Sequence, residues 1–179
     1  MIISSSFWFT ADHHFSHANI IQHCNRPFSN VLEMNEVLIE RWNSLVKPRD
    51  IVWYLGDFCW KYFEEHFSRL NGDIILVKGN HEACAWKFKH KFFAYHSGYV
   101  EHTFGKTLVT MCHYPMREWN GSHRGTWHLH GHSHGNVAPT PGRCMMDVGV
   151  DTHNYYPYSW DEIVENMTNV TILPPKNDV

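Results

Sequence analysis

Apolar residues along most of the chain come in short runs, and each run ends in a polar cluster. Phe7-Trp-Phe-Thr-Ala leads into Asp12-His13-His14, Ile51-Val-Trp-Tyr-Leu-Gly into Asp57, and Ile74-Ile-Leu-Val-Lys-Gly into Asn80-His81. Thr107-Leu-Val-Thr-Met-Cys leads into His113, and Trp127-His-Leu-His-Gly into His132-Ser133-His134. Runs this short, bounded by Gly and polar turns, predict buried strands. Between the first two the period changes to that of a helix. Glu33 to Val46 carries apolar residues at 34, 37, 38, 42, 45 and 46, and Pro48 stops it. Trp60 to Leu70 repeats Phe63, Phe67 and Leu70 before Asn71-Gly72, and Glu82 to Lys91 reads as a third, more polar helix. Later, Cys144 to Val150 predicts a strand, Ser159 to Met167 a short helix and Val170 to Leu173 a closing strand. Strand and helix alternate early and strands dominate later, which predicts an α/β architecture of two packed sheets with helices outside.

Composition narrows the picture. A chain of 179 residues is the size of one domain, placed at 1–173, with a loosely held tail over 174–179. With 43% hydrophobic and 18% charged residues it can build a core. Lys and Arg total 15 against 18 Asp and Glu, a net charge of −3, which argues against coating nucleic acid or acidic lipid by bulk charge. No apolar run is long enough to cross a bilayer, and Met-Ile-Ile-Ser-Ser-Ser has no basic residue ahead of an apolar stretch. No membrane association and no signal peptide are expected. The 5 cysteines (24, 59, 84, 112 and 144) form no C-x-x-C pair, so a reducing, cytoplasmic setting without disulfides is expected.

The 16 histidines change the question. Histidine is a common metal ligand and proton carrier, and functional groups in open α/β sheets gather at the carboxyl ends of strands. Here every predicted strand end delivers a side chain able to bind metal. If the segments stay extended, residues i and i+2 share a side about 6.5–7 Å apart. Asp12 with His14, and His132 with His134, form two such pairs. Each pair could grip one ion or straddle two.

Asp12-His13-His14, Gly56-Asp57, Gly79-Asn80-His81-Glu82, a lone His113 and Gly131-His132-Ser133-His134 follow one another in the order D-x-H, G-D, G-N-H-[DE], H, G-H-x-H. In that order the chain resembles the calcineurin-like metallophosphoesterases, over residues 12 to 134. Ala11-Asp-His-His-Phe-Ser-His-Ala-Asn-Ile-Ile, then Asn25-Arg-Pro-Phe, looks more narrowly like small stand-alone bacterial and phage members. The resemblance implies a four-layer αββα sandwich of two mixed β-sheets flanked by helices. It implies two divalent metal ions, the first held by Asp12, His14 and His134 and the second by Asn80, His113 and His132, with Asp57 bridging them. Imidazole and carboxylate ligands suit manganese, iron, zinc or nickel better than magnesium; manganese is the leading expectation. A hydroxide held between the ions would attack phosphorus, and Asp57, Asn80 and His81 make up the catalytic set, His81 assisting the leaving group.

Arg26, Arg117, Arg124 and His17 are candidates for contact with a substrate phosphate, since guanidinium suits that geometry. His123 is a further residue to watch, and Trp119 and Trp127 read better as core than as stacking platforms. The expected reaction is hydrolysis of a phosphodiester, or of a phosphomonoester, with diesters favoured because short connections leave no cap domain. The expected partner is a small phosphoester, a nucleotide or a nucleic-acid end, with no obligate protein partner and a homodimer as an open alternative. Serine/threonine phosphoprotein phosphatases share Gly-Asn-His-Glu, but Gly56-Asp-Phe-Cys-Trp-Lys-Tyr lacks their second Asp and their Arg, and Lys78 replaces the Arg before Gly-Asn-His. A non-catalytic metal-binding scaffold of the same fold usually loses ligands that this chain keeps. Asp12-His13-His14 also spells the DHH signature, but without the Asp-rich motifs that precede it in that family. His132-Ser-His134-Gly-Asn136 does not supply the ligand run of metallo-β-lactamases.

Overall fold

The computed structural model describes residues 6–173. The expected tail 174–179 lies outside them. Two mixed sheets with flanking helices form the molecule, as the alternation of runs predicts. In the first sheet β1 (Phe7–Thr10), β2 (Ile51–Tyr54), β3 (Asp73–Val77) and β4 (Ala94–His96) are parallel, and β9 (Tyr158–Ser159) closes the other edge antiparallel, in the order β4-β3-β2-β1-β9. In the second, β5 (Tyr99–Phe104) and β6 (Thr107–Cys112) are an antiparallel pair, and β7 (Trp127–His130) and β8 (Cys144–Asp147) continue parallel to β6, in the order β5-β6-β7-β8.

Both faces of the first sheet are buried, which is why its strands read as unbroken apolar runs. Phe9, Trp53, Leu55, Ile75 and Val77 point between the sheets, where they meet Val109, Met111, Trp127 and Leu129. Val52, Tyr54, Ile74 and Leu76 point the other way, against the helices. Those helices are α1 (Asn19–His23), α2 (Val31–Leu45) and α3 (Phe63–Phe67), which contribute Ile20, then Met34, Leu38 and Trp42, then Phe63. The last helix, α4 (Trp160–Thr168), sends Ile163 and Met167 into the core between the sheets. On the outer face of the second sheet Trp119, carried by the loop after β6, packs over His128 at 5.1 Å between ring centroids. Trp119 and Trp127 are both buried, as expected.

Local chemistry sets the boundaries that periodicity missed. α2 starts two residues early because Asn30 caps it, its side chain accepting from Leu32 N and Glu33 N at 3.0 Å each. α4 starts one residue later than predicted, because Ser159 is its cap in a reciprocal capping box with Glu162. The Trp60 to Leu70 helix shrinks to α3 because Tyr62 sits in the left-handed region (φ 57°) and Trp60 is drawn onto His17. Glu82 to Lys91 becomes a 3₁₀ segment, Ala85–Lys91, because Glu82 turns away to bind backbone amides. The Cys144 to Val150 strand ends at Asp147, whose Oδ1 accepts Gly149 N at 2.8 Å and turns the chain. Val170 to Leu173 is not a strand; Leu173 N instead donates to Gly142 O. All five cysteines are free. No helix among the described residues is long and apolar enough to cross a membrane.

Candidate metal centre

The carboxyl ends of β1, β2, β3, β6 and β7 lie at one end of the sandwich, and the polar clusters of the sequence meet there. They do not meet by strand alternation. Asp12 (φ 61°), His14 (52°), Asp57 (61°), His132 (67°) and His134 (47°) all adopt the left-handed conformation, so the extended i, i+2 pairs expected for Asp12/His14 and His132/His134 are corrected to tight turns. Asp and His tolerate this region better than most residues, yet each instance costs on the order of 1–3 kcal/mol and needs outside support. The loops supply it to one another: Asp12 N donates to Gly56 O, His14 N to Asp57 O and Gly131 N to His113 O, each at 3.0 Å. Two motif glycines are required by closeness. A Cβ on Gly79 would stand 2.3 Å from Asp57 Oδ1, and one on Gly131 would stand 2.6 Å from Asp12 Oδ2.

Asp57 is central. Its Oδ2 lies 3.5 Å from His14 Nε2 and 3.4 Å from His113 Nε2, while its Oδ1 accepts His81 N at 2.7 Å. His113 Nδ1 donates to Leu55 O at 2.7 Å, so in the neutral ring Nε2 carries a lone pair. That lone pair faces Asn80 Oδ1 at 2.8 Å, itself an acceptor. Asp12 Oδ2 accepts His132 N at 2.8 Å, whereas Asp12 Oδ1 and His14 Nε2 are buried with no hydrogen-bond partner. His134 Nδ1 pairs with Asp151 Oδ2 at 2.6 Å, which leaves its Nε2 toward the cluster. Its ring stacks on His14 at 5.4 Å, and His132 lies edge-to-face on His113 at 5.1 Å.

Acceptors that face acceptors, with two buried atoms unpaired, call for a cation. Ligand atoms of Asp12, His14 and His134 lie within 4.8 Å of one another, and so do those of Asp12, Asp57 and His113. The chemistry of this donor set therefore fits a metal ion. Electrostatics shows a proton competing with a metal ion for His113 Nε2. Burial lowers a histidine, and it takes His14 to about 2, a neutral ligand. At His113 burial is outweighed by the hydrogen bond to Asp57 and the charges of Asp12 and Asp57, and the ring is held up at about 9. Burial pushes Asp12 up to about 7. Asp57, against the pull of its own burial, is held down to about 2 by its contact with His113 and the charges of His113 and His14.

Two supporting carboxylates carry no signal as ligands in the sequence. Glu82, buried behind the cluster, accepts from Asp57 N, Phe58 N and Gly79 N at 2.9 Å each and ties two of the loops together. Asp151 follows a bridge between Ala11 and Gly149 that brings the end of the second sheet against β1. It orients His134 and is gripped by Arg26, with Nε on Oδ1 at 2.8 Å and Nη2 on Oδ2 at 2.7 Å. Glu82 was legible as part of Gly-Asn-His-Glu; Asp151 had no motif to find it by.

The expected substrate contacts fare differently. Arg26 is corrected: its side chain is fully buried, and its remaining donors reach Asp12 O at 2.7 Å and His13 O at 3.0 Å, so it braces the loop. Arg124 is corrected as well. The parallel β6 and β7 require the connection to return to the opposite end of the sheet, and Arg124 and His123 sit there, exposed, just before Trp127. Arg117 is exposed four residues after His113. His17 stands at the mouth, stacked on Trp60 at 4.5 Å, with His14 at 5.4 Å and His81 at 6.4 Å. His81 is exposed, and its ring lies 5.7 Å from that of His14.

Fold and site together define a two-sheet α/β protein with a histidine and carboxylate cluster able to hold a metal ion. No family model matches the chain. It is 37% identical to the uncharacterized protein MJ1445 of Methanocaldococcus jannaschii over 179 residues, 94% of this chain and 95% of that protein, and it belongs to the same family. It is also 24% identical over 200 residues to the Gene 66 protein of Mycobacterium phage L5, covering 93% and 96%. Among solved structures, the protein of unknown function AQ665 from Aquifex aeolicus shares the fold, with a TM-score of 0.75 and 24% identity over 90% of this chain and 99% of that one. A novel archaeal phosphodiesterase matches at a TM-score of 0.47 and 15% identity, over 80% and 82%.

Proposed function

We propose that this protein is a metal-dependent phosphoesterase of the calcineurin-like superfamily that hydrolyses phosphodiesters at a two-metal site. The observation that carries the reading is Asp57 Oδ2, set within 3.5 Å of imidazole nitrogens from two separate loops, beside the unpaired buried oxygen of Asp12. Asp12, His14 and His134 would hold one divalent ion, Asn80, His113 and His132 the other, and Asp57 both; manganese is the first choice, with iron, zinc and nickel compatible. When bound, such ions neutralise a phosphate and lower the pKa of water. The protein's own part is to hold this array rigid and to deliver a proton. His81 has its backbone fixed on Asp57 and its ring exposed at the mouth, which suits it to protonate a departing oxygen. Phosphodiesters are preferred over monoesters because among the described residues no cap domain encloses the mouth.

The test is hydrolysis of bis(p-nitrophenyl) phosphate by the purified protein with Mn²⁺, before and after chelation, alongside metal content by mass spectrometry. Chelator-sensitive turnover is expected. On an unactivated diester, whose departing alkoxide needs a proton, His81→Ala is expected to keep its metal and lose about 10²–10⁴ in rate. A metal-loaded protein that turns over no phosphoester favours the scaffold reading instead.

A further inference from the structure

A cavity of about 390 Å³ opens beside the metal cluster, lined among others by Lys78, Gly98, Tyr99, Cys112 and Tyr114. Its volume is in the range of sites for small organic ligands. Gly79 and Tyr114, which also line it, are the chain neighbours of Asn80 and His113, so a phosphate at the cluster would place its organic group here. The walls are aromatic. Tyr114 is 47% exposed and Tyr99 50% exposed. Tyr114 lies edge-to-face on the rings of His113 and His132, at 5.2 and 4.7 Å. Gly98 leaves the floor open, since a Cβ there would meet nothing within 4 Å.

One cation, Lys78, lines the cavity. The Lys78 ammonium lies 5.0 Å from the Trp86 ring centroid, and Lys89 lies 4.6 Å from the same ring. Neither lysine takes part in an ion pair among the described residues, whereas Lys91 and Arg69 are paired to glutamates. Glu101, the acid beside Tyr99, is occupied by the Tyr99 hydroxyl and by Asn120 Nδ2. On the opposite rim Trp60 already stacks on His17. Of the two exposed rings that line the cavity, Tyr114 is the one in contact with the candidate ligands His113 and His132.

Resting on the phosphoesterase reading, we infer that this cavity receives the nucleobase of a small nucleotide phosphoester, with Tyr114 as stacking platform and Lys78 attracting the phosphates. Aromatic surface beside a cation suits a base joined to an anion and gives nothing to an alkyl phosphate. The net charge of −3 gives no independent support for a long strand.

Calorimetric titration of the Mn²⁺-loaded protein with thymidine 5′-monophosphate and with 2-deoxyribose 5-phosphate isolates the base, because both ligands carry the same sugar and phosphate dianion. The nucleotide is expected to bind about tenfold tighter, the modest end of base–aromatic stacking. In Tyr114→Ala the ratio is expected to fall within about twofold on the same scale. Tyr114→Leu, which keeps the bulk, should lose it too and stands in if the alanine variant does not fold. Equal binding by wild type, or a ratio that survives both variants, overturns the subsite. A parallel assay compares p-nitrophenyl thymidine 5′-phosphate with methyl p-nitrophenyl phosphate. No metal-dependent turnover of either, with the binding ratio intact, sinks the phosphoesterase reading and leaves the subsite standing. Turnover of both at equal KM does the reverse. Competition by a short oligothymidylate no tighter than the mononucleotide is expected; much tighter competition overturns the assignment to small nucleotides.

Discussion

The strand-end loops and the outer face of the second sheet each bury a histidine completely, and the two are driven in opposite directions. His113 and His128 are both 0% exposed, at the end of β6 and within the adjacent β7. His128 faces Trp119 and His130; it donates to Thr110 O at 3.2 Å and accepts Met116 N at 3.1 Å. Burial therefore dominates and lowers it to about 4. His113 faces Asp57 and Asn80, and the carboxylates reverse the effect of burial. What separates the candidate ligand His113 from the core histidine His128 is thus not burial but what the ring faces. At His128 the ring lone pair has a hydrogen to accept, that of Met116 N. At His113, lone pairs converge on a space that only a proton or a metal ion can fill.

The strongest way to break that contrast is Asp57→Asn, which keeps the shape and removes the central charge. Turnover should fall by about 10³ or more, several kcal/mol of electrostatic stabilisation, and bound metal should drop below the wild-type stoichiometry. Unchanged metal content by mass spectrometry would mean that Asp57 is not shared between ions. Asp151→Asn acts one step further out. It weakens the orientation of His134 and should cost about 10–100-fold in metal affinity, read by competition with a chromogenic chelator.

His128 tests the other region by pH. Its folded pKa of about 4 lies below the ordinary 6.5, so the unfolded chain binds the extra proton first. Stability from this residue is full above pH 6.5 and is lost as pH falls toward 4, by on the order of 2–3 kcal/mol. In His128→Gln, urea denaturation at a series of pH values should show a flatter acid limb; an identical limb would mean that other groups carry it. The smallest effect belongs to Arg124→Ala. Placed at the far end of the sheet, it should change kcat/KM less than about twofold, and a large loss would show that the loop reaches the mouth.

Much of this was legible without coordinates. The five runs became strands β1, β2, β3, β6 and β7; those of the first sheet are buried on both faces and continuously apolar, whereas Trp127-His-Leu-His alternates between an apolar inner and a histidine outer face. The ligand candidates were legible as well, because metal-binding side chains at strand ends form an ordered pattern in one dimension. The polar edge strand β5 and the short β4 and β9 left no such mark, since one exposed face removes the signal. Arg26 looked the same in sequence whether it would meet a phosphate or Asp151, and Asp151 lies 125 positions away. Residue type and local spacing decided which groups were available and where each strand would stop. Only tertiary structure decided the left-handed turns at five of the seven candidate ligand positions, the closeness of Gly79 to Asp57 and the clamps by Glu82 and Arg26. These depend on distances between loops remote in sequence, and a local pattern contains no information about such distances.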